Sequence, residues 1–145
     1  MDAEKNIALA YNWFTHGWLG DHDLADQLFP PTFTINGQPV GPDGPKSNNR
    51  NRLAGFPDLS VEVADQFAFE DKVVTRLVWR GTHTGEYSGI PATGKRVEAL
   101  TLNIFRFEGE KVVESWSVTD QFGILRQLGQ LPTGIQSAQV ALEHH

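Results

Sequence analysis

The sequence predicts an α+β domain in which a curved antiparallel sheet wraps around N-terminal helices, cone-like, and encloses an apolar pocket. Three observations carry this expectation. The first part of the chain shows helical periodicity, the later part shows alternating strands, and those strands exceed the usual five or six residues. Strands of that length must twist and bend. With 145 residues, 39% of them hydrophobic, the chain can bury one core and reads as a single domain over residues 1–141. Leu142-Glu143-His144-His145 reads as the remnant of an expression tag.

Ile7, Tyr11, Phe14 and Trp18 recur at spacings of 4, 3 and 4, which predicts a helix over 3–19 with these residues on one face. Gly20 closes it. Asp21 or Asp23 then caps a short helix that ends near Phe29, before Pro30-Pro31. Residues 32–35 alternate as a strand, and Asn36-Gly37 is a hairpin turn. The loop Gly41-Pro42-Asp43-Gly44-Pro45 launches a helix over 46–55, with Leu53 and Phe56 as anchors.

Leu59, Val61 and Val63 then alternate with Ser60, Glu62 and Ala64 as a half-buried strand. A turn near Glu70-Asp71 leads to a long strand over 73–84, followed by a glycine- and proline-containing loop over 85–94. Residues 95–107 and 111–120 form the last hairpin, turning at Glu108-Gly109-Glu110. Phe122, Leu125 and Leu128 mark a closing helix that stops at Gly129.

Composition excludes several functions. The formal charge is −6, and Lys46, Arg50 and Arg52 form only a loose positive cluster, so nucleic acid and anionic membranes are not expected partners. The chain has no cysteine, which removes disulfides and thiolate metal sites and fits a reducing cytoplasm. No apolar run reaches the ~20 residues of a membrane span, and no signal-peptide pattern opens the chain.

Gly89-Ile90-Pro91-Ala92-Thr93-Gly94-Lys95 matches part of a phosphate-binding loop. However, Arg96 stands where Ser or Thr would hold magnesium, and a strand rather than a helix follows. His16, His22 and His83 are too scattered for a metal site. Neither a metal nor a nucleotide cofactor is expected.

Acid–base chemistry remains. In Trp116-Ser117-Val118-Thr119-Asp120, alternation places Trp116, Val118 and Asp120 on one face. Pairing through the 108–110 turn sets Asp120 opposite Val97 or Ala99, on the face that carries Thr101, Asn103 and Phe105. A carboxylate among such neighbours is desolvated, its pKa rises, and it becomes a usable proton shuttle. The competing role is a helix cap, because Asp120 directly precedes the closing helix. His83 shares strand parity with Leu77 and Trp79, so it is either an oxyanion donor or a histidine bonded to a nearby carbonyl. Tyr11, Phe14, Trp18, Trp79, Phe105 and Trp116, with Asn103, are the expected substrate-binding lining.

Several segments together are similar to the SnoaL-like polyketide cyclases: Gly44, Phe56-Pro57-Asp58-Leu59, Arg80-Gly81-Thr82-His83-Thr84-Gly85-Glu86, the 89–95 loop, Ile104-Phe105-Arg106-Phe107 and Trp116-Ser117-Val118-Thr119-Asp120-Gln121. They run in the family's order over residues 4–129. The resemblance implies a cone of the nuclear transport factor 2 and ketosteroid isomerase kind. It also implies cofactor-free intramolecular aldol cyclisation of a small hydrophobic carbonyl or polyketide-like compound, with Asp120 at the place of the acid/base aspartate. A related isomerase or hydratase, a hydroxylase relative and a non-catalytic binding module are the alternatives. Two departures stand out: Lys46-Ser47-Asn48-Asn49-Arg50-Asn51-Arg52 is polar where relatives carry an apolar helix, and Ser115 stands where histidine is common. Leu100, Leu102 and Ile104 lie opposite Thr101 and Asn103, so a second subunit is expected to cover the sheet's outer face, and the resemblance implies the same homodimer.

Overall fold

The computed structural model describes residues 2–131; the expected tag remnant at 142–145 lies outside the described residues. α1 (Ala3–Asn12) begins with Asp2 Oδ1 accepting the Lys5 N–H at 3.0 Å. It then widens into a π-helical turn, Trp13–Gly17, in which the Trp18 N–H reaches the Trp13 carbonyl at 3.0 Å. Trp13 and Phe14 both enter the core. Gly17 makes this possible, since a Cβ there would lie 2.1 Å from the Trp13 ring.

The buried face of this segment is therefore Asn6, Ala10, Trp13, Phe14 and Gly17, not the expected stripe through Tyr11. Tyr11 is 50% exposed and leaves the expected lining. Its ring satisfies the apolar period as well as a core residue would, yet its hydroxyl is at home in water.

α2 (Asp23–Leu28) follows, then β1 (Thr34–Ile35) and β2 (Gln38–Pro39). Asn36 and Gly37 join these two strands with φ of 50° and 84°, the left-handed pair that a two-residue hairpin requires. α3 (Asp43–Gly55) starts earlier than the sequence suggests, with Pro45 in its first turn. β3 (Ser60–Phe69), β4 (Lys72–Thr82), β5 (Arg96–Glu108), β6 (Lys111–Thr119) and α4 (Gln121–Gln127) complete the chain. The 89–95 loop thus opens a strand, not a phosphate-cradling helix. Among the described residues no helix is long and apolar enough to cross a membrane.

The six strands form one curved sheet in the order β2-β1-β6-β5-β4-β3. Every pairing is antiparallel except β1 with β6, which is parallel. β5 shows the period of two most clearly, with Val97, Ala99, Thr101, Asn103, Phe105 and Phe107 all buried. α1 crosses this inner face against β3 and β4. Phe14 stacks on Phe105 at 5.2 Å between centroids, and Trp13 and Phe29 meet edge to face at 5.0 Å.

One irregularity decides which side chains reach the interior. Phe107 pairs with Val112 but Arg106 pairs with Glu114, so Val113 is an extra, bulged residue in β6. Beyond it the register moves by one, and every later side chain changes face. Thr101 opposes Thr119, Asn103 opposes Ser117 and Phe105 opposes Ser115. Trp116 and Val118 oppose Ile104 and Leu102 on the outside, where they are 48% and 71% exposed. The expectation that Trp116, Val118 and Asp120 share the face of Thr101, Asn103 and Phe105 is therefore corrected.

The motif around Asp58 has a structural role. The Thr82 N–H and hydroxyl each donate to its carboxylate at 2.7 Å, and Arg96 Nη1 adds a third donor at 3.2 Å, tying the entry of β3 to the end of β4. The Thr82 N–H is the largest cause holding the carboxyl below its ordinary value, followed by the Thr82 hydroxyl. A depressed folded pKa contributes stability that is present above the unfolded pKa of about 3.9 and is lost as pH falls through the folded value. The melting-temperature gap between wild type and Asp58→Asn is accordingly expected to be full at neutral pH and to shrink below about pH 4. A gap that stays constant down to pH 3 would contradict this assignment.

Candidate functional site

A cleft runs between α3 and the inner face of β5 and β6. Its inner chamber, about 70 Å³, is walled by Trp13, Phe14, Phe29, Phe33 and Phe105, with Asn103 and Ser115 on the sheet side. The outer chamber, about 250 Å³, is bounded by Asn51, Trp79, Tyr87, Ser88, Thr119 and Gln121. Trp18, Asn48, Arg52 and Ser117 bound both chambers, so the two adjoin along these residues.

Each wall is fixed by hydrogen bonds from below. The Trp79 Nε1–H donates to Thr101 Oγ1 at 3.1 Å, and the Thr101 and Thr119 hydroxyls lie 2.8 Å apart. Asn103 Nδ2 donates to Ser115 Oγ at 2.9 Å. Across the cleft, Asn49 Nδ2 donates to the Gly17 carbonyl at 2.8 Å, locking α3 to the π-helical turn. At the mouth, Tyr87 and Gln121 share hydrogen bonds of 3.2–3.3 Å.

Arg52 is the dominant charge. Its guanidinium lies 3.5 Å over the Trp18 ring, and Nη1 donates to Asn49 Oδ1 at 3.1 Å. No carboxylate pairs with it among the described residues, and no Asp, Glu or His bounds either chamber. Burial pushes its pKa down to about 10, so it remains a cation at neutral pH. A cation stacked on an aromatic face and lacking a counter-ion has the charge and the free donors that an anion would need.

The sequence-derived candidates divide. Phe14, Trp18, Trp79, Asn103 and Phe105 meet in the cleft. Tyr11 and Trp116 face outward, as described above. Asp120 is exposed and lies outside the cleft. Its Oδ1 accepts the Gly123 N–H at 2.9 Å as the N-cap of α4, and it shares an outer hollow with Leu100, Leu102, Val118 and Phe122, and with Thr119 and Gln121, which also bound the outer chamber. The bulge at Val113 is the physical reason.

His83 is fully buried but does not reach the cleft. Its Nδ1 accepts the Thr93 N–H at 3.2 Å and lies 2.9 Å from Thr93 Oγ1, while its ring packs 5.5 Å from Phe56. Sequence reasoning did not pick out Arg52, Asn48, Ser117, Thr119, Tyr87 or Gln121 as site residues. The one available signal was the polar stretch 46–52, which makes little sense as a core helix and good sense as a cleft wall.

The SnoaL-like polyketide cyclase family model matches residues 7–128. The chain belongs to this family. Solved structures agree. TsrD from Streptomyces laurentii is 28% identical, with a TM-score of 0.81 over 90% of this chain and 99% of that one. AclR from Streptomyces galilaeus, a proposed hydroxylase, is 29% identical, with a TM-score of 0.80 over 99% and 98%. IdmH from Streptomyces antibioticus, a proposed polyketide cyclase, is 32% identical, with a TM-score of 0.72 over 87% and 97%. No curated protein matches the chain. Within this SnoaL-like cone, the cleft occupies the concave side of the sheet and the Asp120 carboxylate the other.

Proposed function

We propose that this SnoaL-like protein is a cofactor-free enzyme that binds a small hydrophobic carbonyl compound in the cleft and stabilises its enolate on Arg52. The observation that carries the reading is the unpaired guanidinium at the junction of an aromatic and a polar chamber. A cation held in place before the reaction, in a site partly cleared of water, favours the state in which negative charge develops on oxygen.

The chemistry follows. A carbon–hydrogen bond next to the substrate carbonyl breaks, and its proton passes to solvent. The electron pair left on carbon forms the enolate's carbon–carbon double bond, and the carbonyl π pair moves onto the oxygen, which faces Arg52. In a cyclisation, the enolate carbon then forms a bond to a second carbonyl of the same molecule, whose oxygen takes up a proton. Tyr87, which shares hydrogen bonds with Gln121, is one of the hydroxyls that bound the outer chamber, with Ser88, Ser117 and Thr119. Asp120 has no part in this scheme and serves as the cap of α4.

The test is α-hydrogen exchange of 2-tetralone in deuterated water, followed by NMR. Exchange faster than in buffer, and inhibited by 2-naphthoate, supports the reading. Binding without faster exchange would make the protein a carrier instead. AclR, which matches almost the whole chain, gives the hydroxylase reading its support, because an enolate is also the electron-rich species that dioxygen would attack. Oxygen consumption with a turned-over substrate distinguishes the two.

The same proposal includes a homodimer. The outer face presents Leu100, Leu102, Ile104, Trp116 and Val118 as one exposed apolar stripe. Ion pairs flank it, Arg80 with Glu62 and Glu98 on one side and Arg106 with Glu108 and Glu114 on the other. An apolar centre with a charged rim suits a second copy of the chain. Leu102→Glu is expected to convert the dimer to monomer at tens of micromolar in sedimentation. A dimer that survives this substitution places the interface elsewhere.

A further inference from the structure

Asn103 is only 4% exposed and sits at the aromatic end of the cleft. Its Nδ2 is committed to Ser115 Oγ at 2.9 Å, while its Oδ1 is buried with no hydrogen-bond partner among the described residues. A buried amide oxygen without a donor is costly, and such groups are normally paired. The rings Phe14, Phe29 and Phe105 that bound the chamber have no hydrogen to donate, and the donors that bound it, Trp13, Trp18, Asn48, Asn49, Arg52 and Ser117, make no hydrogen bond to this oxygen. Arg52, bounding the same chamber, carries the complementary defect: donors without an anion.

We infer that Asn103 is a specificity-determining residue: its Oδ1 accepts a hydrogen bond from a hydroxyl on the substrate's ring, while Arg52 holds the substrate's anionic oxygen. The substrate class is thus a hydroxylated aromatic or enolised ring compound with an acidic oxygen elsewhere on its frame. The inference rests on the cleft and on Arg52 as the anion-holding group, and adds the second point of recognition. A site built to accept a substrate hydroxyl rejects the analogue that lacks it, because the protein's own acceptor is then left unpaired.

The test uses fluorescence titration of the full chain with 2-naphthoate, its 6- and 7-hydroxy derivatives and their methyl ethers. The expected result is that one hydroxy isomer binds about 10- to 100-fold more tightly than 2-naphthoate and its own methyl ether. Asn103→Leu should bring this ratio to within about threefold of unity, whereas Asn103→Asp, which keeps an acceptor, should retain the preference. Arg52→Met should weaken all the naphthoates together and leave the ratio intact.

Equal binding of hydroxy and unsubstituted compounds by wild type overturns the role of Asn103 and leaves that of Arg52 standing. Tighter binding of a methyl ether shows the amide presenting its N–H, and also overturns it. Naphthoates that bind Arg52→Met as well as wild type overturn the anion-site reading while the hydroxyl preference is judged separately. Wild-type protein that binds none of them overturns both. The wild-type ratio decides the inference even where a variant fails to fold.

Discussion

Arg52→Met is expected to lower the enzyme-catalysed exchange of 2-tetralone by about 10²–10³-fold, as removal of an oxyanion-stabilising donor does. Methionine keeps an unbranched apolar stem over Trp18 and deletes the charge, so the cleft wall is largely preserved. Stability should fall modestly as well. Arg52 Nη1 donates to Asn49 Oδ1 at 3.1 Å and Asn49 is fully buried, so the Met variant leaves that amide oxygen without this donor and loses the cation–π contact with Trp18. Relief of the desolvation of a cation without a counter-ion offsets part of this cost, so the variant is expected to melt slightly lower than wild type. Arg52→Lys restores a charge but not the planar fork or the stacking, so its activity should fall between the two. Exchange in Arg52→Met within about twofold of wild type would remove Arg52 from the chemistry.

That residue was visible in the sequence only as an oddity. The polar run 46–52 departs from an apolar helix, but a run of Asn, Ser and Arg is more often a solvated face, and nothing local distinguishes one from the other. The distinction depends on what lies opposite: the Ser115, Ser117 and Thr119 side of β6, brought to the interior by a bulge. The strand itself, its turn and its partner were all legible from alternation and from Glu108-Gly109-Glu110. The bulge at Val113 was not, because Val112-Val113 fits a regular strand as well as a bulged one. A single added residue was enough to move Trp116 and Asp120 out and Ser117 in.

The helices show the same division. Turn and helix-stop chemistry at Asn36-Gly37 and Gly129 follows from local backbone preferences and could be read residue by residue. The π-helical turn could not. It depends on the Trp13 ring lying against Gly17, a fit that periodicity does not register. Phe14, Trp18, Trp79 and Phe105 could be anticipated as cleft aromatics, but so could Tyr11 and Trp116, which are exposed, because ring size and spacing do not settle which face a ring takes.

Ser117→Phe should abolish turnover, by at least ~100-fold, in a protein that still folds. Ser117 bounds both chambers, as Arg52 does, so a ring at this position fills space that the substrate would occupy beside Arg52. The structural cost is modest, because the links between Ser117 and Asn36 run through the backbone: the Ser117 N–H donates to Asn36 Oδ1 at 2.9 Å, and its carbonyl accepts from Asn36 Nδ2 at 3.1 Å. Phenylalanine is also a good strand former. The matched comparison is Asp120→Asn. Asparagine caps a helix about as well as aspartate, and the carboxylate lies outside the cleft, so exchange should stay within about twofold of wild type. Asp120→Ala should cost about 1 kcal/mol of stability through the lost cap, again with activity retained in the folded fraction. Measured side by side, the two positions separate a site on the inner face from one at the start of α4. If Asp120→Asn loses activity by the ~10²–10⁴-fold typical of a deleted general base while Ser117→Phe keeps it, the chemistry belongs on the other side of the sheet.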